Sequence, residues 1–288
     1  MLTFRFLRIS VLLLLILFGT NVKHGWAFDE TARLKATTLH YPPYEYEFNG
    51  VPTGIAVDIL QEATRRAGLQ GVDIKFFPWK RAVFSTETGK MDVLFNAGVN
   101  EARKKWGLYS KHTLIMQEYF LFTRRGENLA TTLDFNNVQN KSIAVRRGYL
   151  YGSGPFKKAI TTGNVFERVS PSESTEHSVR LLLGNRIDMF VGDFLPVMHY
   201  IINNDLTNKI ELVKVSGSDN NLKVLVWPTY FLFSKQTVNE EFVNKFDRVL
   251  KKMIDDGTYK NIHDKYNAIY GSAQNASSAP ASSIVLDE

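Results

Sequence analysis

The sequence predicts an α/β fold of two lobes joined by a two-strand hinge, and three observations carry that expectation. Short apolar runs alternate with amphipathic helical stretches, which implies parallel strand pairing in an open sheet. The alternation then starts afresh after residue 140, and an extended run at 221–235 can return the chain to its beginning.

Taken in order, ARLKATTLH at 32–40 reads as a strand, and the aromatic loop YPPYEY at 41–46 follows it directly. Prolines 42 and 43 restrict that loop's dihedrals, so its tyrosines can stand in a cleft at little ordering cost. After a turn at Asn49-Gly50 the period changes. From Thr53 on, Ala56, Ile59, Leu60, Ala63 and Ala67 share one face while Asp58, Glu62, Arg65 and Arg66 share another, and Gly68 is a stop. VDIKFFPW at 72–79 reads as a strand, KRAVFSTETG as a short helix with its turn, and MDVLFNAG at 91–98 as a third strand. QEYFLFTRRGE leaves this first unit. The second unit repeats the outline: strand KSIAVRRG with the loop YLYGSG, helix PFKKAI, strand NVFERVS, helix STEHSVRLLLGNR, and strand IDMFVGD ending at Gly192-Asp193. NLKVLVWPTYFLFSK at 221–235 crosses back, and one or two amphipathic helices follow, with Phe242, Phe246, Leu250 and Met253 on a face and Gly257 as a break. The crossings fall near 119–125 and 222–229. In an open α/β sheet a ligand sits in the crevice beyond the carboxyl ends of the strands, where the loops at 41–46 and 96–100 lie.

Composition narrows the class. Arg5 and Arg8 precede the apolar run ISVLLLLILFG, and Gly25 and Ala27 supply the small residues of a cleavage site, so residues 1–27 read as a secretory signal peptide. An apolar run of 11 residues is too short for a bilayer core that needs about 20. The formal charge of +6 includes Arg5, Arg8 and Lys23, and the remainder is too mild to suggest nucleic acid. With no cysteine there is no disulfide, thiolate nucleophile or cysteine metal site. HExxH, GxSxG and the P-loop are absent, the six histidines are scattered, and neither cofactor nor metal is expected. His40, alone beside the expected cleft, reads as structural. GSASSAP-like composition from 271 to 288, in GSAQNASSAPASSIVLDE, suggests a disordered tail.

YPPYEY, GIAVDIL, GKMDVLFNAGVNEARKKWGLYS, KSIAVRRG, LLLGNRIDMFVGD and IDDGTYKNIHDKY resemble, in order and spacing, the bacterial periplasmic solute-binding proteins of the polar amino-acid type, family 3. PWKRA at 78–82 is similar to a divergent branch of that family. The resemblance implies a type II periplasmic-binding fold that closes on a small ligand in the periplasm and presents it to an inner-membrane ABC permease without turning it over. A monomer is expected, because a hinged two-lobe cleft gives no reason for an oligomer. The two crossings divide the chain into 28–121 and 229–270 as lobe one and 122–228 as lobe two with the hinge strands.

Residue by residue, the family's carboxylate-clamping arginine falls on Arg103. A guanidinium fork matches a carboxylate, and a helix start beside it would lend N–H donors. Asp193 falls where the family places an acid for the α-ammonium, with a helix cap or turn aspartate as the plain alternative. Tyr41 matches the aromatic that covers the ligand, and Asn96 and Gly98 match positions that bind its carboxylate. Three departures stand out. Thr38 replaces a common aspartate, leaving Glu45 to supply negative charge or merely to face water. Tyr149 and Tyr151 occupy the loop that usually carries small hydroxylated residues. PWKRA brings Trp79, and Arg81 with it, near the cleft, where Trp79 serves equally as core or as ligand platform. The pocket is thus expected to suit an aromatic, anionic or modified molecule better than a simple basic amino acid. Two other functions fit the same scaffold: a cyclohexadienyl dehydratase-like enzyme using Glu45, Arg103, Asp193 and the tyrosines, and a sensory binding protein feeding a receptor.

Overall fold

The computed structural model describes residues 33–149, 151–163 and 165–270. The expected signal segment and tail lie outside the described residues. Fourteen strands and eight helices are present among them. The first unit runs β1 (Leu34–Thr38), a hairpin of β2 (Tyr46–Phe48) and β3 (Val51–Thr53), α1 (Ile55–Arg66), β4 (Val72–Phe76), α2 (Trp79–Glu87), β5 (Val93–Gly98), α3 (Glu101–Lys104) and β6 (Gly107–Tyr109). The chain crosses on β7 (Ile115–Arg124) and passes the short β8 (Ala130–Thr131). The second unit is β9 (Ser142–Arg146), α4 (Pro155–Thr161), β10 (Arg168–Ser172), α5 (Thr175–Leu183), β11 (Met189–Asp193), α6 (Phe194–Asn203), β12 (Ile210–Leu212) and β13 (Lys214–Val215). The return strand is β14 (Lys223–Ser234), followed by α7 (Glu240–Asp255) and α8 (Thr258–Tyr270).

Each unit has the same strand order, with the second strand outside the first, the third inside, and an antiparallel crossing strand beyond it. In the first this is β4-β1-β5-β14, in the second β10-β9-β11-β7. The two crossing strands pair with each other, Ile115 opposite Thr229 and Phe120 opposite Lys223, so the half-sheets join into one continuous sheet.

Alternation along the strands sorts their side chains to two faces. On the back face a single apolar core runs through both units: Val93 and Phe95 of β5, Phe120 and Phe122 of β7, Phe190 of β11 and Phe231 and Phe233 of β14 meet α1, α5, α6, α7 and α8. On the front face there are two separate clusters. One lies under α2, around Ala82, Leu94 and Leu232; the other lies under α4, around Leu121, Phe156 and Val191.

Two local differences from the sequence reading matter for the site. The strand expected to run to Trp79 stops at Phe76, because Pro78 begins the turn into a helix and Trp79 opens α2. FLPVMHYIIN, which carried no expectation, is α6; most of its residues are apolar and it packs on the back core.

Candidate functional site

The YPPYEY loop is held by main chain. Tyr41 N–H donates to Glu45 O at 2.7 Å and Tyr44 N–H to Tyr41 O at 3.0 Å, closing a tight turn. The carbonyls of Pro43 and Tyr44 then accept the N–H groups of Ile55 and Ala56, at 3.2 and 2.9 Å, and so satisfy donors that the first turn of α1 leaves free. Gly54 makes this approach possible: its φ is +125°, and a Cβ there would meet Tyr44 O at 2.4 Å. Tyr41 consequently faces forward into a cleft, while Tyr44 points behind it.

That cleft, about 290 Å³ in volume, opens on the front face between the two clusters. Its first-unit wall carries Leu39, Tyr41, Trp79, Lys80, Asn96, Gly98, Val99 and Arg103. Its floor is the pair of crossing strands, with Gln117 and Tyr119 from β7 and Leu225, Trp227 and Thr229 from β14. Arg147, Gly148, Tyr149 and Tyr151 come from the second unit.

A buried polar network fixes the floor. Asn96, in the left-handed region at φ 57°, donates from Nδ2 to both carboxylate oxygens of Glu45, at 2.8 and 3.0 Å. Its Oδ1 accepts from Thr229 Oγ1 at 2.6 Å and from Gln117 Nε2 at 3.4 Å, and Gln117 Oε1 in turn accepts from Tyr119 O–H at 3.0 Å. Glu45 is fully buried, and burial pushes its carboxyl well above the usual range against the opposing pull of the Asn96 hydrogen bond.

On the wall, Gly98 O accepts from Arg103 Nη1 at 3.1 Å and from Tyr109 O–H at 3.0 Å. The Arg103 guanidinium carbon stands 5.2 Å from the centre of the Trp79 ring. Gly98 has no side chain because Trp227 covers it; a Cβ would meet Trp227 Nε1 at 2.1 Å. The helix start expected to lend N–H donors is the four-residue α3, and Asn100 Oδ1 already accepts the Ala102 N–H at 2.9 Å. In the second unit the Tyr151 hydroxyl oxygen accepts the Arg146 backbone N–H at 2.8 Å, and the Arg146 guanidinium carbon lies 5.6 Å from the Tyr149 ring centre. Burial pushes the phenols of Tyr41, Tyr119, Tyr149 and Tyr151 upward, so they keep their protons.

Residues 35–269 match the bacterial extracellular solute-binding proteins, family 3. The chain belongs to this family. The L-cystine-binding protein TcyA of Bacillus subtilis (strain 168) is 24% identical over 230 residues, 78% of this chain and 77% of that protein. An ancestral arginine-binding protein bound to arginine superposes with a TM-score of 0.64 at 21% identity, over 82% of this chain and 99% of its own. A histidine kinase sensor domain with similarity to periplasmic binding proteins does so with a TM-score of 0.65 at 21% identity, over 83% and 97%. The architecture is the type II periplasmic-binding fold, two α/β lobes joined by a two-strand hinge, and among the described residues no helix is long and apolar enough to cross a membrane.

Within this family member, the cleft brings together seven of the residues singled out from sequence: Tyr41, Trp79, Asn96, Gly98, Arg103, Tyr149 and Tyr151. Glu45 and Asp193 stand behind it. Asp193, 2% exposed, accepts the Tyr44 O–H at 3.0 Å across the two lobes, and its other oxygen has no hydrogen-bond partner. Burial raises its carboxyl well above the ordinary range. The aromatic wall that Tyr41, Tyr119, Tyr149 and Tyr151 build leaves beside Asp193 only a cavity of about 10 Å³, the size of a water. Thr38 joins this inner layer, donating to Phe95 O at 3.1 Å. Arg81 lies outside the cleft, 4.3 Å above the Phe77 ring. Sequence reasoning missed the floor. Gln117 and Thr229 are polar residues within the largely apolar middles of β7 and β14, and Leu225, Trp227 and Thr229 alternate, which together mark a strand face that does not meet a core.

Proposed function

We propose that the protein is a periplasmic, monomeric solute-binding protein, that its cleft captures a small carboxylate-bearing ligand, an amino acid or a derivative of one, by closure of the two lobes, and that it delivers this cargo to an inner-membrane ABC permease. Lobe one comprises 28–121 and 229–270, and lobe two 122–228. The observation that carries the reading is Arg103, oriented by Gly98 O and flanked by Trp79 on the wall of a cleft that Tyr149 and Tyr151 of the second unit also line. In this role Arg103 takes the carboxylate, Tyr41, Trp79, Tyr149 and Tyr151 enclose the rest, and Asn96 and Gly98 shape the floor. Glu45 and Asp193 support the cleft from behind, and their distance from it favours capture over the dehydratase alternative, which needs carboxylates at the ligand.

Micromolar affinity corresponds to about 8.2 kcal/mol, whereas one charge-assisted hydrogen bond nets about 1.5–3 kcal/mol. Contacts from both lobes are therefore needed, and a ligand that gains them only in the closed form shifts the population toward it. The test is a thermal-shift screen of amino acids, their derivatives and small organic acids, followed by calorimetry. Arg103→Ala should weaken the bound carboxylate by about 10- to 150-fold, the equivalent of that hydrogen bond, with the melting temperature of the free protein unchanged. Unaltered affinity in this variant would remove Arg103 from the site.

A further inference from the structure

The charges that line the cleft are of one sign, and Glu173, which pairs with Arg147 Nε at 2.5 Å, is not part of the lining. Lys80, Arg103 and Arg147 line the cleft, and among the described residues no carboxylate does. An α-ammonium leaving water needs an anion or a set of free acceptors in exchange. Both nearby acids are sealed away. Glu45 holds both oxygens on Asn96. Asp193, with one oxygen on Tyr44 and the other unpartnered, lies behind the rings of Tyr41, Tyr119, Tyr149 and Tyr151, which leave beside it room for no more than a water. The neutral acceptors are engaged too. Gly98 O takes two donors, from Arg103 and Tyr109, and Asn96 Oδ1 takes two, from Thr229 and Gln117. Ring faces could attract a cation, but Arg103 already sits by Trp79 and Arg146 by Tyr149.

We infer that the cleft selects carboxylates whose α-amino group is absent or capped: the desamino, keto, hydroxy or N-acyl counterparts of amino acids. This rests on the reading of the cleft as a carboxylate site. Arg103 receives the carboxylate, the rings of Tyr41, Trp79 and Trp227 take a flat or apolar body, and among the described residues no carboxylate lines the cleft to meet an ammonium. Lys80 and Arg103 act against one, since a cation entering beside them gains no field to offset its lost hydration, and Arg147, whose charge is met by Glu173, offers it no acceptor.

The experiment is calorimetry on the purified protein with matched pairs: phenylalanine against 3-phenylpropionate and phenylpyruvate, leucine against 4-methylpentanoate, glutamate against glutarate. The expected result is at least tenfold tighter binding of the amine-free acid in one pair or more, with the reverse order in none. Arg147→Glu, which places an exposed carboxylate at the cleft, should shrink that preference at least tenfold. Amino acids binding as tightly as or tighter than their partners, with the binding lost in Arg103→Ala, overturn this inference and leave the carboxylate site standing. If no member of any pair binds, both readings fall.

Discussion

Behind the sheet a single apolar core passes from one lobe to the other, whereas in front the core is cut in two and the cleft lies in the cut. The same strands make both faces. On β7, Phe120 and Phe122 face back while Gln117, Tyr119 and Leu121 face front; on β14, Phe231 and Phe233 face back while Leu225, Trp227 and Thr229 face front. What separates stability from binding on β7 is thus one step of the alternation. On β14 it is the register shift near Tyr230, which turns Phe231 and Phe233 to the back although they continue the odd-numbered row of Leu225, Trp227 and Thr229. The back positions that enter the core are apolar and bind the lobes together, while the front positions turn polar or aromatic where the lobes must face a ligand. Closure on cargo, in the function proposed, rearranges the front and keeps the back core as its fulcrum.

The largest expected effect breaks the back. Phe246 is fully buried against Phe231, Phe233 and Phe242, with ring centres 5.2, 5.2 and 6.3 Å away. Phe246→Ala should cost about 3–5 kcal/mol in urea unfolding, and Leu232→Ala, in the small front cluster, about 2 kcal/mol. Because the back core is continuous, both variants should unfold in a single transition. Two separate transitions would show that the lobes are independent, and the comparison would fail.

Next comes a substitution that strikes the front alone. In Gly98→Ala the new methyl group meets the Trp227 indole, so the ring must leave its place on the cleft floor. Overpacking of this kind costs about 1–3 kcal/mol. Trp227 is only half-buried and has the cleft to move into, so little of that cost should appear as lost stability. Ligand affinity should fall at least tenfold while the urea midpoint barely moves, a split that calorimetry and unfolding measure side by side. The opposite split would place Trp227 in the core rather than in the site.

The back face was legible in the sequence and the front only in part. Helical periodicity in α1 and α7, and the repeated strand-helix order, follow from apolar burial, which one residue at a time already encodes. Tyr41, Arg103 and Tyr149 were legible through local motifs. The floor was not, because Trp227 and Gly98 meet only through the pairing of β14 with β5, a contact between residues far apart in sequence. The inward turn of Glu45 and Asp193 was hidden for the same reason. Whether a carboxylate faces a cleft or lies behind it depends on Asn96, Tyr44 and the ring wall together. Even the helix start beside Arg103 was misjudged through a neighbour, since Asn100 caps it.

The smallest expected effect sets the two faces against each other in pH. On the front, burial raises the carboxyls of Glu45 and Asp193, so the fold prefers them protonated. Their contribution is complete below the unfolded value of about 4 and is lost as pH rises through the raised values. On the back, burial lowers His199 and His263, so the fold prefers them neutral. His199 joins the lobes, with Nδ1 2.8 Å from Tyr270 O–H and Nε2 3.0 Å from Asn203 Nδ2, and a proton on Nε2 removes the acceptor that Asn203 uses. That contribution is complete above about pH 6.5 and is lost as pH falls through the lowered value. Melting temperatures between pH 7.5 and 5 should therefore respond in opposite senses to two sets of substitutions. His199→Gln removes a loss on acidification, so its curve should fall less than the parent's. Glu45→Gln with Asp193→Asn removes a gain, so its curve should fall more. If both variants bend the curve the same way, the carboxyls behind the cleft are ionised in the folded protein, and the front lies open to solvent to a depth that the aromatic wall of Tyr41, Tyr119, Tyr149 and Tyr151 is built to deny.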